Sequence, residues 1–241
     1  MDILVVNCNT SSAMTQLIDA AAKDAASADT VVTTVSPPWG VESAEGFYDS
    51  FVSAASVLDL LAKWDRPVDA VVMAGFGEHG REGARQLLDV PVVDITEAAA
   101  MHACLVGNRF GVVTTARTTV EQIRQSLLTA GLLQRCAGVR ASGVAVLELA
   151  RNQDGMLRPF AESARALVAE GADVIVLGCA GLAAQRQRLQ DELGLPVVDG
   201  VAAAIVLCEG LVRTGLHTSK SGAFAPPDQA KQLPQDKQLI I

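Results

Sequence analysis

A cysteine at the end of an unbroken apolar run is the side chain best placed to do chemistry in this chain. The run starts at Ala172, passes through Val174, Ile175, Val176 and Leu177, and ends in Gly178, Cys179, Ala180 and Gly181. So short a run without polar alternation reads as a parallel strand covered on both faces. A cysteine just beyond it lies at the carboxyl edge of the sheet, where open α/β folds hold their ligands. The start of the next helix would favour its thiolate. A thiolate can take a proton from carbon, whereas a buried thiol can also simply fill space. Cys179 is the candidate acid/base.

Other turns offer partners for it. Asn9, Thr10 and Ser11 follow an apolar run at residues 3–6, and Thr114 and Thr115 follow another at 109–113. Such hydrogen-bonding turns can hold a small ligand or cap the helices that follow. The turn after residues 69–73 carries Gly75, Phe76, Gly77, Glu78 and His79. Glu78 or His79 could move a proton near neutral pH. Their competing role is a favourable acid and a solvated imidazole at a helix start. Ser43 and Glu45 lie in a loop after residues 30–35. Gly75, Gly77, Gly178 and Gly181 suit tight turns whatever the function. The candidate catalytic residues are therefore Cys179, Glu78 and His79. The candidate ligand contacts are Asn9, Thr10, Ser11, Ser43, Gly75, Phe76, Gly77, Thr114, Thr115, Gly178, Ala180 and Gly181. Cys8, Cys104, Cys136 and Cys208 read as structural, with Cys8, beside Asn9, able to line a pocket.

Strands alternating with helices must carry these turns. Strands are expected at 3–6, 30–35, 69–73, 90–95, 109–113, 144–147, 173–177 and 196–199, with helices between them, one running from about 50 to 64. That alternation predicts an α/β fold with parallel sheets. It also restarts near residue 109. Asp69-Ala70-Val71-Val72-Met73-Ala74-Gly75 matches Asp173-Val174-Ile175-Val176-Leu177-Gly178-Cys179, and Leu88 to Asp94 matches Leu193 to Asp199. The repeat predicts two pseudo-symmetric lobes, each a parallel sheet flanked by helices, with the active site in the cleft between them. Residues 1–100 with 205–220 make the first lobe, 101–204 the second, and 221–241 a mobile tail. Alternatively Leu239, Ile240 and Ile241 contact a partner subunit in a homo-oligomer, which is the expected assembly. In the repeat, Cys179 falls in register with Gly75.

Composition sets the limits. The chain has 241 residues, half of them hydrophobic and only 4% aromatic, so Ala, Val, Leu and Ile must build an ample core. A net charge of −8 without a basic cluster argues against nucleic acid or an anionic membrane as partner. Five scattered cysteines without a Cys-x-x-Cys pair argue against a zinc site or a disulfide framework. The first residues run straight into a strand with no basic leader, so the expected place is the cytoplasm.

Several motifs together resemble the Asp/Glu/hydantoin racemase superfamily, most closely its hydantoin and allantoin racemase branch. They are Asn7-Cys8-Asn9-Thr10-Ser11, similar to that branch's Asn-Pro-Asn-Thr-Ser; Ser43-Ala44-Glu45-Gly46; Phe110 to Thr115; Leu177 to Gly181; and Gly215 to Lys220. The resemblance implies a two-lobed fold and cofactor-free proton transfer beside a carbonyl of a small substrate. It further implies a thiol on each side of the reacting carbon, because inversion needs an acid and a base on opposite faces. Gly75 stands where the resemblance places the first thiol. That leaves three readings: a racemase whose second acid/base is Glu78, His79 or water; a single-cysteine decarboxylase of a substituted malonate; or a small-ligand binder without turnover. A thiol introduced at Gly75 is expected to complete the pair and raise racemisation.

Overall fold

The computed structural model describes residues 1–151 and 157–228, with side chains 150 and 151 excepted. Two short segments, apolar but for Asp2, start the first sheet: β1 (Asp2–Val6) and β3 (Ala70–Met73), in which every residue but Asp2 is buried. They pair in parallel, Ile3 opposite Ala70 and Val6 opposite Met73. β2 (Val31–Val35) and β4 (Val92–Asp94) flank them, giving the order β2-β1-β3-β4. The second sheet repeats the plan. β5 (Phe110–Thr114) pairs with β7 (Val174–Leu177), Phe110 opposite Val174, and β6 (Cys136–Ala141) and β8 (Val197–Asp199) complete the order β6-β5-β7-β8. The chain is thus α/β, with two matching four-stranded parallel sheets among the described residues.

Three of the described helices start where a short polar side chain takes up free amides. Ser11 caps α1 (Ser12–Ala25) through the Met14 amide. Asp94 caps α4 (Ile95–Val106), and Asp199 caps α9 (Gly200–Arg213) in the equivalent place of the second half. Between these run α2 (Phe47–Ala62), α3 (Arg81–Leu87), α5 (Thr119–Thr129), α6 (Val146–Arg151), α7 (Leu157–Ala169) and α8 (Arg186–Leu193). α9 packs on α1, α4 and β3, so the last long helix among the described residues returns to the first sheet. α4 reaches across to β7, and one apolar cluster joins Val5 and Val72 of the first sheet to Val112 and Val176 of the second. The halves share a core, which holds the ends of their sheets at a fixed spacing.

Two local expectations are corrected. The apolar stretch at 144–147 is not a strand: Val144 is in a loop, and Val146 opens α6 with its side chain buried. The strand at that sheet edge is β6, which sequence reading passed over. Cys136-Ala137-Gly138-Val139-Arg140-Ala141 has one β-branched residue and is only half-buried, so neither an apolar run nor alternation marks it. The tail expected over 221–241 lies mostly outside the described residues, from 229 on, as do Leu239, Ile240 and Ile241. Its first residues are placed: a 3-10 turn at Gly222–Phe224 lies on α3, with the Arg85 guanidinium 5.9 Å from the Phe224 ring. Lys220 donates to the backbone oxygens of Arg85 and Gln86, at the carboxyl end of α3, where a cation is favoured.

Candidate active site

Parallel strands present their carboxyl ends on one side, and here four such ends converge. One cavity is lined by Asn7, Cys8 and Asn9 after β1, by Ala74, Gly75 and Phe76 after β3, by Thr114 and Thr115 at the end of β5, and by Gly178, Cys179 and Ala180 after β7. Met14 and Ile18 of α1, Ala44, His79, Thr119 and Val146 close it. Both halves of the repeat therefore contribute equivalent turns to one small space.

Cys179 is 9% exposed. The segment that follows it is a 3-10 helix, Ala180–Gln185, rather than a long α-helix. The thiol pKa is pushed up to about 11, because burial outweighs the Gly181 amide that would lower it, and Glu45 and Asp199 add to the rise. Burial thus keeps Cys179 as thiol near neutral pH, contrary to the helix-stabilised thiolate expected from sequence. Cys8, read as structural, is the residue whose position the sequence undersold. Its thiol is 8% exposed and lies in the same cavity; burial, and then the charge of a Cys179 thiolate, push it up to about 12.

Hydrogen bonds fix the turns. Asn9 Oδ1 accepts from the Ser11 amide and from Asn7 Nδ2, each at 3.0 Å, and Asn7 Nδ2 also reaches Thr15 Oγ1 at 3.0 Å. Thr114 Oγ1 donates to the Gly178 oxygen at 3.1 Å, which ties the β5 turn to the one bearing Cys179. A side chain at Gly178 would meet the Val113 carbonyl oxygen at 2.9 Å, so this close approach admits only glycine. Gly77, at φ +125°, accepts from Thr96 Oγ1 (3.1 Å) and Ser126 Oγ (2.8 Å). Beneath that turn Arg81, wholly buried, meets Glu82 at 2.7 Å, Glu97 at 3.3 Å and Asp94 at 3.6 Å, and donates to Ser126 Oγ. Paired on several sides, it welds α3, α4 and α5 behind the cavity.

The remaining expected residues divide. Phe76, His79, Thr115 and Ala180 line the cavity. Thr10 holds the 36–46 loop, its amide and hydroxyl both donating to the Val41 oxygen. Ser43 donates to Glu45 Oε1, which also accepts from the Val146 amide, so this loop spans to the second half. Ser11 caps α1, and Gly181 lies against Met14. Glu78 is engaged elsewhere: its Oε1 accepts from the Gly80 and Arg81 amides at the start of α3. Among the described residues, no group of three His, Cys, Asp or Glu side chains has the geometry to hold a metal ion.

His79 is 4% exposed, its Nδ1 has no hydrogen-bond partner, and burial lowers its pKa to about 4. It is neutral at pH 7. Because the folded pKa lies below the unfolded 6.5, the native state binds fewer protons at this site. The resulting stability is complete above pH 6.5 and is lost as pH falls toward 4. In His79→Phe, urea unfolding at pH 7 and pH 4 should show a stability drop smaller than wild type's by about 3 kcal/mol. Equal drops in the two proteins would place the imidazole in contact with water.

The family model for Asp/Glu/hydantoin racemases matches residues 3–208. The chain belongs to the Asp/Glu/hydantoin racemase family. Within it, the chain is similar to a hydantoin racemase of Pseudomonas sp. (strain NS671), 37% identical over 97% of this chain and 94% of the relative. The structure of an allantoin racemase from Pseudomonas fluorescens superposes with a TM-score of 0.95 at 46% identity, covering 97% of this chain and all of that one. An allantoin racemase from Klebsiella pneumoniae gives 0.93 at 40% identity over 98% and 97%. These likenesses place this Asp/Glu/hydantoin racemase family chain in the hydantoin racemase branch. Arylmalonate decarboxylase, at 20% identity and a TM-score of 0.59, shares the fold alone.

Proposed function

We propose that this protein is a cofactor-independent racemase of hydantoin-type rings, inverting the carbon between a carbonyl and an amide nitrogen by proton transfer through Cys179. The observation that carries this reading is the placement of a buried sulfur in a cavity shared by the matching turns of both sheets. A proton next to a carbonyl is removable when the resulting enolate is stabilised by fixed donors. The Asn9 oxygen is used within its own turn, which leaves the side-chain amide nitrogen as the group offered to a ligand carbonyl. Thr115 and the backbone amides of Gly75, Phe76, Cys179 and Ala180 are the other donors at hand, those of Ala74 and Gly178 being spent on the Val6 and Val113 oxygens. Ala44 and Val146 add apolar lining to the cavity.

The test is an enantiopure 5-alkylhydantoin, and allantoin beside it, incubated with the protein in D2O. Loss of optical rotation together with deuterium at the stereocentre is the expected result. Binding without exchange would return the protein to a ligand carrier. A single-thiol decarboxylase is what Gly75 taken alone would favour. Cys8 beside it puts a second sulfur on that side, and the racemase is preferred for that reason; CO2 release from a substituted malonate, without hydantoin exchange, would reverse the choice. Free thiols throughout accord with a reducing compartment such as the cytoplasm. Self-association belongs to the same proposal, with the exposed Leu105, Val106 and Val206 of α4 and α9 as the surface to examine.

A further inference from the structure

We propose that Cys8 is the second acid/base, working from the first sheet's side of the cavity against Cys179 on the other. This rests on the racemase reading above and supplies the group it leaves open. The strand register carries the inference. Val6 of β1 lies opposite Met73 of β3, so Cys8 and Gly75, each two residues further on, emerge side by side. A side chain built at Gly75 would meet Cys8 Cβ at 2.6 Å and Cys8 Sγ at 2.8 Å. The Cys8 sulfur therefore already stands where a side chain at 75 would reach.

The pseudo-symmetry makes the same point. With Ile3 opposite Ala70 and Phe110 opposite Val174, Gly75 corresponds to Cys179 and Cys8 to Thr115. Each half thus presents one thiol at one of two adjoining strand ends, on β1 in the first half and on β7 in the second. Both line the one cavity. The other candidates fit less well. The Glu78 carboxylate serves the start of α3, and His79 is too weak a base and too seldom protonated near neutral pH to relay a proton in either sense. Burial pushes both thiols up, Cys179 to about 11 and Cys8 to about 12, so each rests protonated and becomes a strong base once its proton is lost.

The step balances. A Cys179 thiolate takes the carbon-bound proton from one face, and the C–H electron pair moves into the enolate. The Cys8 thiol gives its proton to the opposite face, the enolate electrons form the new C–H bond, and Cys8 is left as thiolate. One C–H and one S–H bond break, one of each forms, and nothing is oxidised. The other enantiomer runs the sequence backwards.

Each enantiomer of a 5-alkylhydantoin, incubated separately in D2O with wild type, Cys8→Ala, Cys8→Ser and Cys179→Ala, tests this. Both Cys8 variants should lose racemisation by about 100-fold or more. They should still exchange the stereocentre hydrogen, with retention, in one enantiomer only. Cys179→Ala should exchange the opposite enantiomer. Racemisation within threefold of wild type in a folded Cys8 variant, with Cys179→Ala inactive, would overturn the role of Cys8 and leave the racemase standing. So would loss of exchange from both enantiomers in both Cys8 variants, which marks a structural part. If wild type itself exchanges neither enantiomer, the racemase reading fails and the assignment of Cys8 with it.

Discussion

Replacing Cys179 by Ala should lower kcat for hydantoin racemisation by about 10²–10⁴-fold while KM changes little. The sulfur is expected to act on the bond being broken, whereas the proposed ring contacts, Asn9, Thr115 and turn backbone, line the cavity and are left in place by the substitution. Structure should survive too. Cys179 packs with Met14, Leu149 and Leu182 in one apolar cluster, and removing a single sulfur from such a site costs little more than a methylene group's worth of packing. Thermal unfolding within a few degrees of wild type would verify that. The pH profile gives a second readout. Burial raises the Cys179 pKa, so the base form is scarce at neutral pH and its fraction grows about tenfold per pH unit below the pKa. In wild type kcat/KM should therefore climb between pH 7 and 9. A folded Cys179→Ala protein racemising within threefold of wild type would remove the sulfur from the chemistry.

Cys179 was legible because three independent signals met on it: an apolar run without alternation, a glycine-flanked turn, and an internal repeat. The same run-and-turn pattern disclosed β1, β3, β5 and β7, the buried strands whose ends line the cavity. One edge strand escaped. β6 is half-buried and composed of small residues, so tertiary pairing, not local pattern, makes it a strand. Cys8 was hidden for a different reason. Its neighbour Asn9 marks it as able to line a pocket, but nothing local marks it as standing beside Gly75. Only the parallel register of β1 on β3 places it against Gly75, far off in the chain. Two of the departures from the resembled pattern, a cysteine in the Asn-Cys-Asn-Thr-Ser turn and a glycine after β3, are neighbours in space. Glu78 misled in the opposite sense, since a helix-start carboxylate and a catalytic one have the same sequence signature until its partners are seen.

That adjacency reverses what a thiol at position 75 should do. From the repeat alone, Gly75→Cys completes an opposed pair and raises racemisation. In the folded chain the new Cβ would fall 2.6 Å from Cys8 Cβ and 2.8 Å from Cys8 Sγ, and closer still to the His79 ring, separations that packed side chains do not tolerate. All three atoms belong to buried residues, so relief requires the imidazole or the β1 turn to move. The turn is held by the Asn7–Asn9–Ser11 hydrogen bonds, and the displacement reaches the proposed Cys8 acid/base directly. Gly75→Cys should therefore destabilise the protein by about 1–3 kcal/mol, as overpacking does, and lower racemisation at least tenfold. Gly75→Ala should do nearly as much, because the clash begins at Cβ. The informative partner is the double variant Cys8→Gly, Gly75→Cys. It removes both Cys8 contacts and carries the sulfur across to the β3 turn, leaving only the His79 ring to shift. Its racemisation should exceed that of Cys8→Gly alone. A gain of activity from Gly75→Cys with Cys8 intact would show that the space beside Gly75 is open rather than crowded. The expected pattern, harm from the single change and recovery from the exchange, requires one sulfur and one small residue across these two strand ends, on whichever strand the sulfur stands.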